Sequence, residues 1–422
     1  MADDGVAQRR AVECTDERPA RVPQTPVRAA VGAVATTTAA VIPVFLLGGM
    51  AVQISDELRF DPAGLGVAVS LYFGCSALIA IPAGWLVERY GDRPTSRAGV
   101  LMSGAAMLGT ALFAHSYLSL VVMTMFSAGG NALGQLSSNL SLARLVPRHR
   151  QGLSFGVKQS AIPVATLLAG AAVPAIALPF GWRWAFVAGA VLAVLVLPLA
   201  PRGPRPPARP KGGGDRRTER ATGPLIVLAL GAAFAAGSAS ALGIFLVDSA
   251  VAQGIGAAAA AGMLTLGSVV GMVARLGGGW LADRACGNHL TVVAATLGIG
   301  AGGLALLAAS GMGPLVVGTM VGYGLGWSWP GVLNFAVVRL NPLAPAAATS
   351  ITQSGVYVGG CVGPLLFGLV AAHSYPTAWL AAAAAMLAAA LLVLVGGRLL
   401  LAHPSVRATI AAEASSVRDY AA

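Results

Sequence analysis

Charge is scarce in this chain, and so are the residues that build most catalytic and metal centres. Only 10% of the 422 residues are charged, whereas a soluble globular protein uses about 25%. The five histidines lie near the ends of apolar segments, in loops or in the tail. The four cysteines are far apart in sequence, which favours neither a disulfide framework nor a metal site. We therefore predict no enzyme active site, no metal and no cofactor.

A glycine-rich phosphate loop ending in Lys and Ser or Thr is also missing, which excludes a nucleotide-driven pump. The net charge of +11 raises the question of a nucleic-acid partner. The basic residues, however, lie between apolar segments and form no single patch. This distribution is typical of loops that face anionic lipid. We predict no nucleic-acid partner.

Apolar and small residues are what the chain has in abundance. Hydrophobic residues make up 56% of it, 55 residues are glycine, and the mean hydropathy is +0.76. Surface that faces lipid must be apolar, and small residues let helices approach closely in a bilayer. The composition therefore predicts a protein whose main partner is the lipid bilayer.

Twelve apolar segments of membrane-crossing length follow one another along the chain. They cover residues 29–53, 65–87, 98–117, 118–143, 153–178, 182–200, 223–250, 255–282, 289–309, 313–339, 346–372 and 376–401. A linker rich in Pro, Gly and Arg at 201–222 separates the sixth from the seventh. We predict an all-α membrane protein with a tail at 1–28, six-helix halves at 29–200 and 223–401, and a second tail at 402–422.

The positions of Lys and Arg predict the orientation, because cytoplasmic loops retain positive charge. With the N-terminus inside, Arg59 and Arg183 fall outside and Lys158 falls within a span. The other 24 of the 27 basic residues fall in tails, cytoplasmic loops or cytoplasmic helix ends. Residues 1–28 contain acids and prolines but no apolar core of a signal peptide. We predict an inner or plasma membrane protein with both termini in the cytoplasm.

The chain also repeats itself. The segment Gly-Trp-Leu-Val-Glu-Arg at 84–89 recurs as Gly-Trp-Leu-Ala-Asp-Arg at 279–284, an offset of 195 residues. At the same offset Asn139, Arg144 and Pro147 match Asn334, Arg339 and Pro342, and after one deletion Gln159-Ser160 matches Gln353-Ser354. An ordered series at nearly constant offset indicates two homologous halves.

The loop after the second span resembles the conserved loop of the major facilitator superfamily, with Glu where Asp is usual. The residues that carry the resemblance are Gly84, Glu88, Arg89, Gly91 and Arg93, and in the second copy Gly279, Asp283 and Arg284. The second copy needs one extra residue, Cys286, before Gly287. In that family the loop is understood to latch the halves together on the cytoplasmic side, with an acid at a helix N-terminus and arginines bridging to neighbours.

The resemblance implies two pseudo-symmetric six-helix bundles that rock around a central cavity and carry a small solute by alternating access. It implies a protein that works as a monomer. Phe126 stands near the position where proton-coupled drug exporters carry an arginine, and Val173-Pro174 replaces their Gly-Pro motif. Residues 158–170 and 181–186 loosely resemble carriers of cyanate and other small anions.

Lys158 is the charged residue that the sequence places inside a span, about six residues into the fifth. One interpretation is that its side chain snorkels back to the interface, since six residues correspond to about 9 Å. The other is that it binds an anionic substrate, because intramembrane charges are costly and usually functional. Lys158 also precedes Gln159 and Ser160, which are shared with the second half.

Other polar residues at membrane depth complete the predicted substrate site. Asn131, Gln135 and Asn139 are spaced four apart and share one face of the fourth span. Such a face either bonds to neighbouring helices or lines the cavity. The candidates in the second half are Trp327, Asn334, Gln353 and Tyr357. We predict a secondary carrier of a small solute, with organic and inorganic anions among the candidate substrates. The alternatives are a drug or metabolite efflux carrier and, less favoured, a sensor or channel.

Overall fold

The structure is a computed structural model that describes residues 25–60, 62–201, 203, 221–284 and 287–407. Within these ranges the chain is helical and contains no strand. The helices are α1 (Pro26–Gly49), α2 (Ala51–Leu58), α3 (Pro62–Tyr90), α4 (Asp92–Phe113), α5 (Tyr117–Leu145), α6 (Gln151–Gln159), α7 (Ala161–Ala172), α8 (Leu178–Phe180), α9 (Trp182–Val196), α10 (Thr222–Ala252), α11 (Ala257–Arg284), α12 (His289–Leu306), α13 (Met312–Val321), α14 (Trp329–Leu340), α15 (Pro345–Ala371) and α16 (Tyr375–Ala402).

Helices predominate because a bilayer offers no water to the backbone, so each N–H and C=O must find a partner within its own segment. Polar side chains satisfy the ends that project from the apolar region. Ser116 and Ser119 form a reciprocal capping box at the start of α5. Asn288 and Ser374 accept backbone N–H groups at the starts of α12 and α16.

Among the described residues, ten helical segments are long and apolar enough to cross a membrane, judged by length and composition. The other two predicted spans are α4, which begins with Asp92 and Arg93, and the pair α13–α14. A π-helical turn at Gly322–Gly326 interrupts that pair. The prediction of an all-α membrane fold is confirmed. The first span was predicted to end too late, at residue 53. Its helix ends at Gly49, and residues 51–53 belong to the separate helix α2.

Two large apolar clusters form the core. In the first half α1, α4, α5, α7 and α9 bury a cluster that includes Leu46, Met107 and Phe186. In the second half α10, α12, α14 and α16 bury a larger cluster around Leu242 and Trp379, which continues into α1, α5 and α6 of the first half. The predicted linker at 201–222 and the tails lie mostly outside the described residues, so those boundaries stay predictions.

The halves meet along two seams. Helix α3 packs along α15, where Ser354 donates a hydrogen bond to the carbonyl of Ala77 at 3.0 Å. Helix α6, the first part of the fifth span, packs against α11 and α14. The fifth span continues through α7, a π-helical turn at Val173–Ala177 and α8. These two seams bring together the residues that the repeat singles out.

Candidate transport site and latch

Glu88 lies at the end of α3 and caps a helix of the other half. Its Oε1 accepts the backbone N–H of Ala346 at 2.7 Å and that of Ala347 at 3.4 Å, in the first turn of α15. Its Oε2 lies 3.6 Å from Nη2 of Arg144. A carboxylate at a helix N-terminus meets unpaired N–H groups and the positive end of the helix dipole. Glu88 therefore connects the halves at the predicted cytoplasmic face.

Asp283 makes the equivalent contact in the opposite direction. From the end of α11, its Oδ1 accepts the N–H of Gly152 at 2.6 Å and its Oδ2 accepts that of Leu153 at 2.8 Å. Those two residues lie in the first turn of α6. The two acids of the repeat thus cap the fifth and eleventh spans reciprocally across the seam. We call Glu88, Asp283 and the two helix N-termini that they cap the latch. Their role in transport remains a prediction.

The glycines of the repeat allow this close approach. A Cβ on Gly279 would lie 2.4 Å from the carbonyl oxygen of Gly152, and a Cβ on Gly84 would lie 2.5 Å from Cβ of Ser350. Gly156, one turn into α6, packs equally closely on the carbonyl of Arg275. Gly91 has another function, because it joins α3 to α4 with φ at 86°.

The arginines next to the acids stack on tryptophans of their own helices. The guanidinium of Arg89 lies 5.1 Å from the ring centre of Trp85, and that of Arg284 lies 3.6 Å from that of Trp280. Arg144, from α5, forms an ion pair with Glu88. Arg93 lies in the first turn of α4, where its N–H donates to Asp92.

Lys158 is fully buried near the end of α6. Its Nζ donates to Oε1 of Gln135 and, at 3.1 Å, to Oδ1 of Asn139. Both acceptors belong to α5, so the side chain points toward the neighbouring helix and does not reach the interface. The snorkelling interpretation is wrong for this conformation. Within the described part of the chain Lys158 forms no salt bridge, and neutral amide oxygens are its partners.

The three amides of α5 are all buried, as their shared face predicts. Asn131 lies one turn before Gln135 in the chain, and its Nδ2 donates to Oγ of Ser76 at 3.3 Å. Two polar atoms of this face have no hydrogen-bond partner among the residues that the structure describes: Oδ1 of Asn131 and Nδ2 of Asn139. An unpaired buried polar atom costs about 1 to 3 kcal/mol. The face therefore has hydrogen-bonding capacity that a water molecule or a solute could use.

The candidates of the second half are less closely assembled. Asn334 and Gln353 are buried on α14 and α15, and Gln159 is buried next to Lys158. Tyr357 is buried one turn after Gln353, and its ring lies 6.4 Å from that of Phe73 on α3. The hydrogen bonds of Lys158 go to α5, so the structure does not connect these residues to it directly.

Arg275 is a buried cation that the sequence analysis placed among the cytoplasmic helix ends. It is 7% exposed and lies within α11. Its Nη2 donates to the carbonyl of Trp327 at 3.3 Å, and its guanidinium lies 5.7 Å from the Trp327 ring. Its Nε has no partner. Arg275 lies seven residues inside the predicted end of its span, as deep as Lys158, so the same depth criterion identifies it.

The surroundings of Arg275 belong to the interrupted tenth span. The π-helical turn at Gly322–Gly326 precedes Trp327, and the Tyr323 ring packs 5.3 Å from that of Trp327. Such turns often mark functional sites, because they break the regular i→i−4 bonding. Trp327, predicted to bind substrate, contacts Arg275. Two buried cations thus lie on α6 and α11, which are in contact, and neither forms a salt bridge within the described residues.

These features define a polytopic helical protein of two halves, joined at one face by reciprocal helix caps. The sequence model of the Major Facilitator Superfamily matches residues 30–344, so the chain belongs to that family. Its fold is similar to that of FucP, a fucose:proton symporter of E. coli. Superposition on a structure of FucP in the outward conformation gives a TM-score of 0.67. The match covers 87% of this chain and 98% of the FucP chain, with 16% sequence identity.

Sequence comparison finds further relatives in the same superfamily. Monocarboxylate transporter 11 of Homo sapiens is 28% identical over 68% of this chain, and that of Mus musculus is equally similar. The match spans 64% of the human protein and 67% of the mouse protein. An uncharacterised transporter of the same superfamily from Mycobacterium tuberculosis is 26% identical over 36% of this chain. The looser resemblance to cyanate carriers is not confirmed.

Proposed function

We propose that this transporter carries a small organic anion by alternating access, with Lys158 and Arg275 as the cations that attract it. The observation that carries the proposal is the burial of Lys158, which has no carboxylate partner among the described residues. A charge inside a membrane costs about 2.5 to 3.5 kcal/mol on insertion scales. Amide oxygens compensate only part of that cost, whereas an anionic solute would provide the missing charge.

Arg275 supports the same class of substrate from the other half. Its backbone packs on Gly156, two residues before Lys158, so the two cations lie on touching helices. A guanidinium offers a planar fork that suits a carboxylate, and the Nε of Arg275 is unpaired. Because two relatives are monocarboxylate transporters, monocarboxylates are the first solutes to test.

The charges also bear on coupling. The described residues place no carboxylate beside either cation. A coupling proton would then travel on Lys158 or on the substrate, or the carrier would be a uniporter or exchanger. An inside-negative potential of about 100 mV favours outward movement of a monovalent anion by about 2.3 kcal/mol. Uncoupled transport would therefore tend toward efflux, and uptake would need a proton or an exchanged anion.

The proposal includes a monomer in the inner or plasma membrane, with both termini and the latch on the cytoplasmic side. The asymmetry of Lys and Arg supports this orientation. A cysteine at the exposed Ser116, between α4 and α5, would then be external. In intact cells an impermeant thiol reagent should label Ser116→Cys and leave Cys14 unlabelled. The reverse pattern would invert the orientation.

Thermal unfolding of the purified protein with a panel of solutes tests the substrate class, since a ligand that binds the folded state raises its melting temperature. The panel pairs each monocarboxylate with its neutral amide. We expect the acid to stabilise the wild type, Lys158→Gln to abolish that shift and Lys158→Arg to retain part of it. Arg398→Gln, an exposed control on α16, should respond as the wild type. Equal shifts with acid and amide, or an unchanged shift in Lys158→Gln, would refute the proposal.

A further inference from the structure

A groove of about 590 Å³ opens on the side of the first half, separate from Lys158 and Arg275. It lies between α1, the fifth span and α9. Its lining is almost entirely apolar: Val27, Ala30, Val31, Val34, Ala35, Thr38, Ala39, Arg150, Leu153, Ser154, Val157, Val164, Leu168, Leu192 and Val196. Several of these side chains are open to the surroundings, Val31 being 50% exposed. The groove therefore faces lipid.

The length and position of the groove match one leaflet of a bilayer. On α1 it runs from Val27 to Ala39, a rise of about 18 Å over twelve steps of 1.5 Å. Half of a hydrocarbon core of about 30 Å is about 15 Å. Val27, Arg150 and Val196 lie at the helix ends on the face that carries the latch. The groove thus spans the leaflet on that side.

Positive charge is concentrated at that end of the groove. Arg150 is the charged member of the lining and is exposed, in the turn Arg148–Arg150 that precedes α6. Arg28 is exposed next to Val27 at the start of α1. A basic rim above an apolar channel complements a lipid with a negative headgroup and an acyl chain.

We propose that the groove binds an anionic phospholipid of the cytoplasmic leaflet, with one acyl chain along α1 and the phosphate on Arg150. The lipid would contact Leu153, Ser154 and Val157 of α6. The same short helix accepts the Asp283 cap and carries Lys158. Occupancy of the groove stabilises α6 in its present position, and this holds whatever solute the transporter carries.

Lipid binding is measured on the detergent-purified full chain by native mass spectrometry and by thermal unfolding. The additions are phosphatidylglycerol, phosphatidylcholine with the same chains, and inorganic phosphate. We expect phosphatidylglycerol to bind and stabilise more than phosphatidylcholine, and phosphate alone to have no effect. Arg150→Gln should weaken phosphatidylglycerol binding about fivefold, the contribution of one basic residue at an anionic surface. Val31→Trp, which fills the groove, should weaken both lipids.

Two matched variants make the result specific. Arg398→Gln removes an exposed arginine of α16, and Leu78→Trp adds an indole at a residue of α3 that is 80% exposed. Both should bind phosphatidylglycerol as the wild type does. Equal binding of the two lipids by the wild type would overturn the headgroup assignment. Unchanged phosphatidylglycerol binding in both Arg150→Gln and Val31→Trp would overturn the site, as would stabilisation by phosphate alone.

Discussion

Glu88 and Asp283 occupy equivalent positions in the two halves, and each caps the first turn of a helix in the other half. The relationship is reciprocal, because Glu88 of the first half holds α15 and Asp283 of the second half holds α6. Since each carboxylate meets two backbone N–H groups, the contact depends on charge and on helix ends more than on particular side chains.

Neutralising these acids should loosen the latch. Charge-assisted hydrogen bonds contribute about 1.5 to 3 kcal/mol. Asp283→Asn or Glu88→Gln should therefore shift the population about tenfold toward the form in which the two halves are separated at the latch. The transport rate should fall while ligand binding is largely retained. Double electron–electron resonance between labels at His149→Cys and Leu343→Cys measures the opening, in a background without native cysteines. Asp248→Asn, exposed on α10, is the control. Unchanged distances and unchanged transport in both latch variants would contradict the prediction.

The glycine contact between α6 and α11 makes an independent prediction. Gly279→Val would place side-chain atoms against the carbonyl of Gly152, where a Cβ alone lies at 2.4 Å, so the two helices must separate. We expect the same label pair to show mainly the longer distance. Gly277→Ala, two residues earlier on α11, meets open space and provides the control. If Gly279→Val kept the short distance and the normal rate, the seam would not be part of the closed state.

Gln135→Glu should separate stability from binding. A carboxylate at this position would pair with Nζ of Lys158, which the amide oxygen of Gln135 now contacts. Pairing of a buried cation should preserve or raise the melting temperature, whereas anion affinity should fall at least tenfold because the internal carboxylate competes for Lys158. Asn131→Asp, one turn away and bonded to Ser76, should reduce affinity less. Calorimetric titration with the stabilising anion measures both variants. Wild-type affinity in Gln135→Glu would exclude Lys158 from the anion site.

The contacts of Glu57, at the face away from the latch, predict that the stability of the folded protein depends on pH. Its carboxylate accepts hydrogen bonds from Arg183 at 2.8 Å and from Nε1 of Trp182 at 2.7 Å. The Arg183 hydrogen bond lowers the pKa of Glu57 below 4.5, burial opposes this shift and the Trp182 bond adds to it. Because the folded pKa is depressed, the stabilisation is present above pH 4.5 and is lost as the pH falls through the folded value.

The effect should be small, below about 1 kcal/mol, because the Glu57 side chain is 47% exposed and solvent screens the pair. Melting temperatures at about pH 6 and about pH 3.5 should differ less in Glu57→Gln than in the wild type. Asp56→Asn removes a charge from the exposed neighbouring residue and should keep the wild-type difference. An identical difference in Glu57→Gln and the wild type would show that the pair contributes nothing.

The acids of the latch could be predicted from the sequence. The partners of the arginines around them and of Arg275 could not. The repeat at an offset of 195 identifies Glu88 and Asp283 because the same local pattern occurs twice. The repeat does not reveal that Arg144 forms an ion pair with Glu88. Arg89 and Arg284 stack on Trp85 and Trp280 instead, and that stacking depends on side-chain directions. The depth of Arg275 was readable from its span, whereas its contact with Trp327 depends on the π-helical turn of another helix.

The sequence by itself determined the spans, their helical conformation and the two related halves, because in lipid an apolar segment of sufficient length must satisfy its own backbone. Tertiary structure decided which faces of those helices meet. The helices are apolar nearly all round, so hydrophobicity does not distinguish a lipid-facing side from a buried one. Helix association in lipid depends on the fit of small residues such as Gly152 and Gly279, which are 127 positions apart in the chain. That fit exists only once the helices are packed, and it fixes the positions of Lys158 and Arg275.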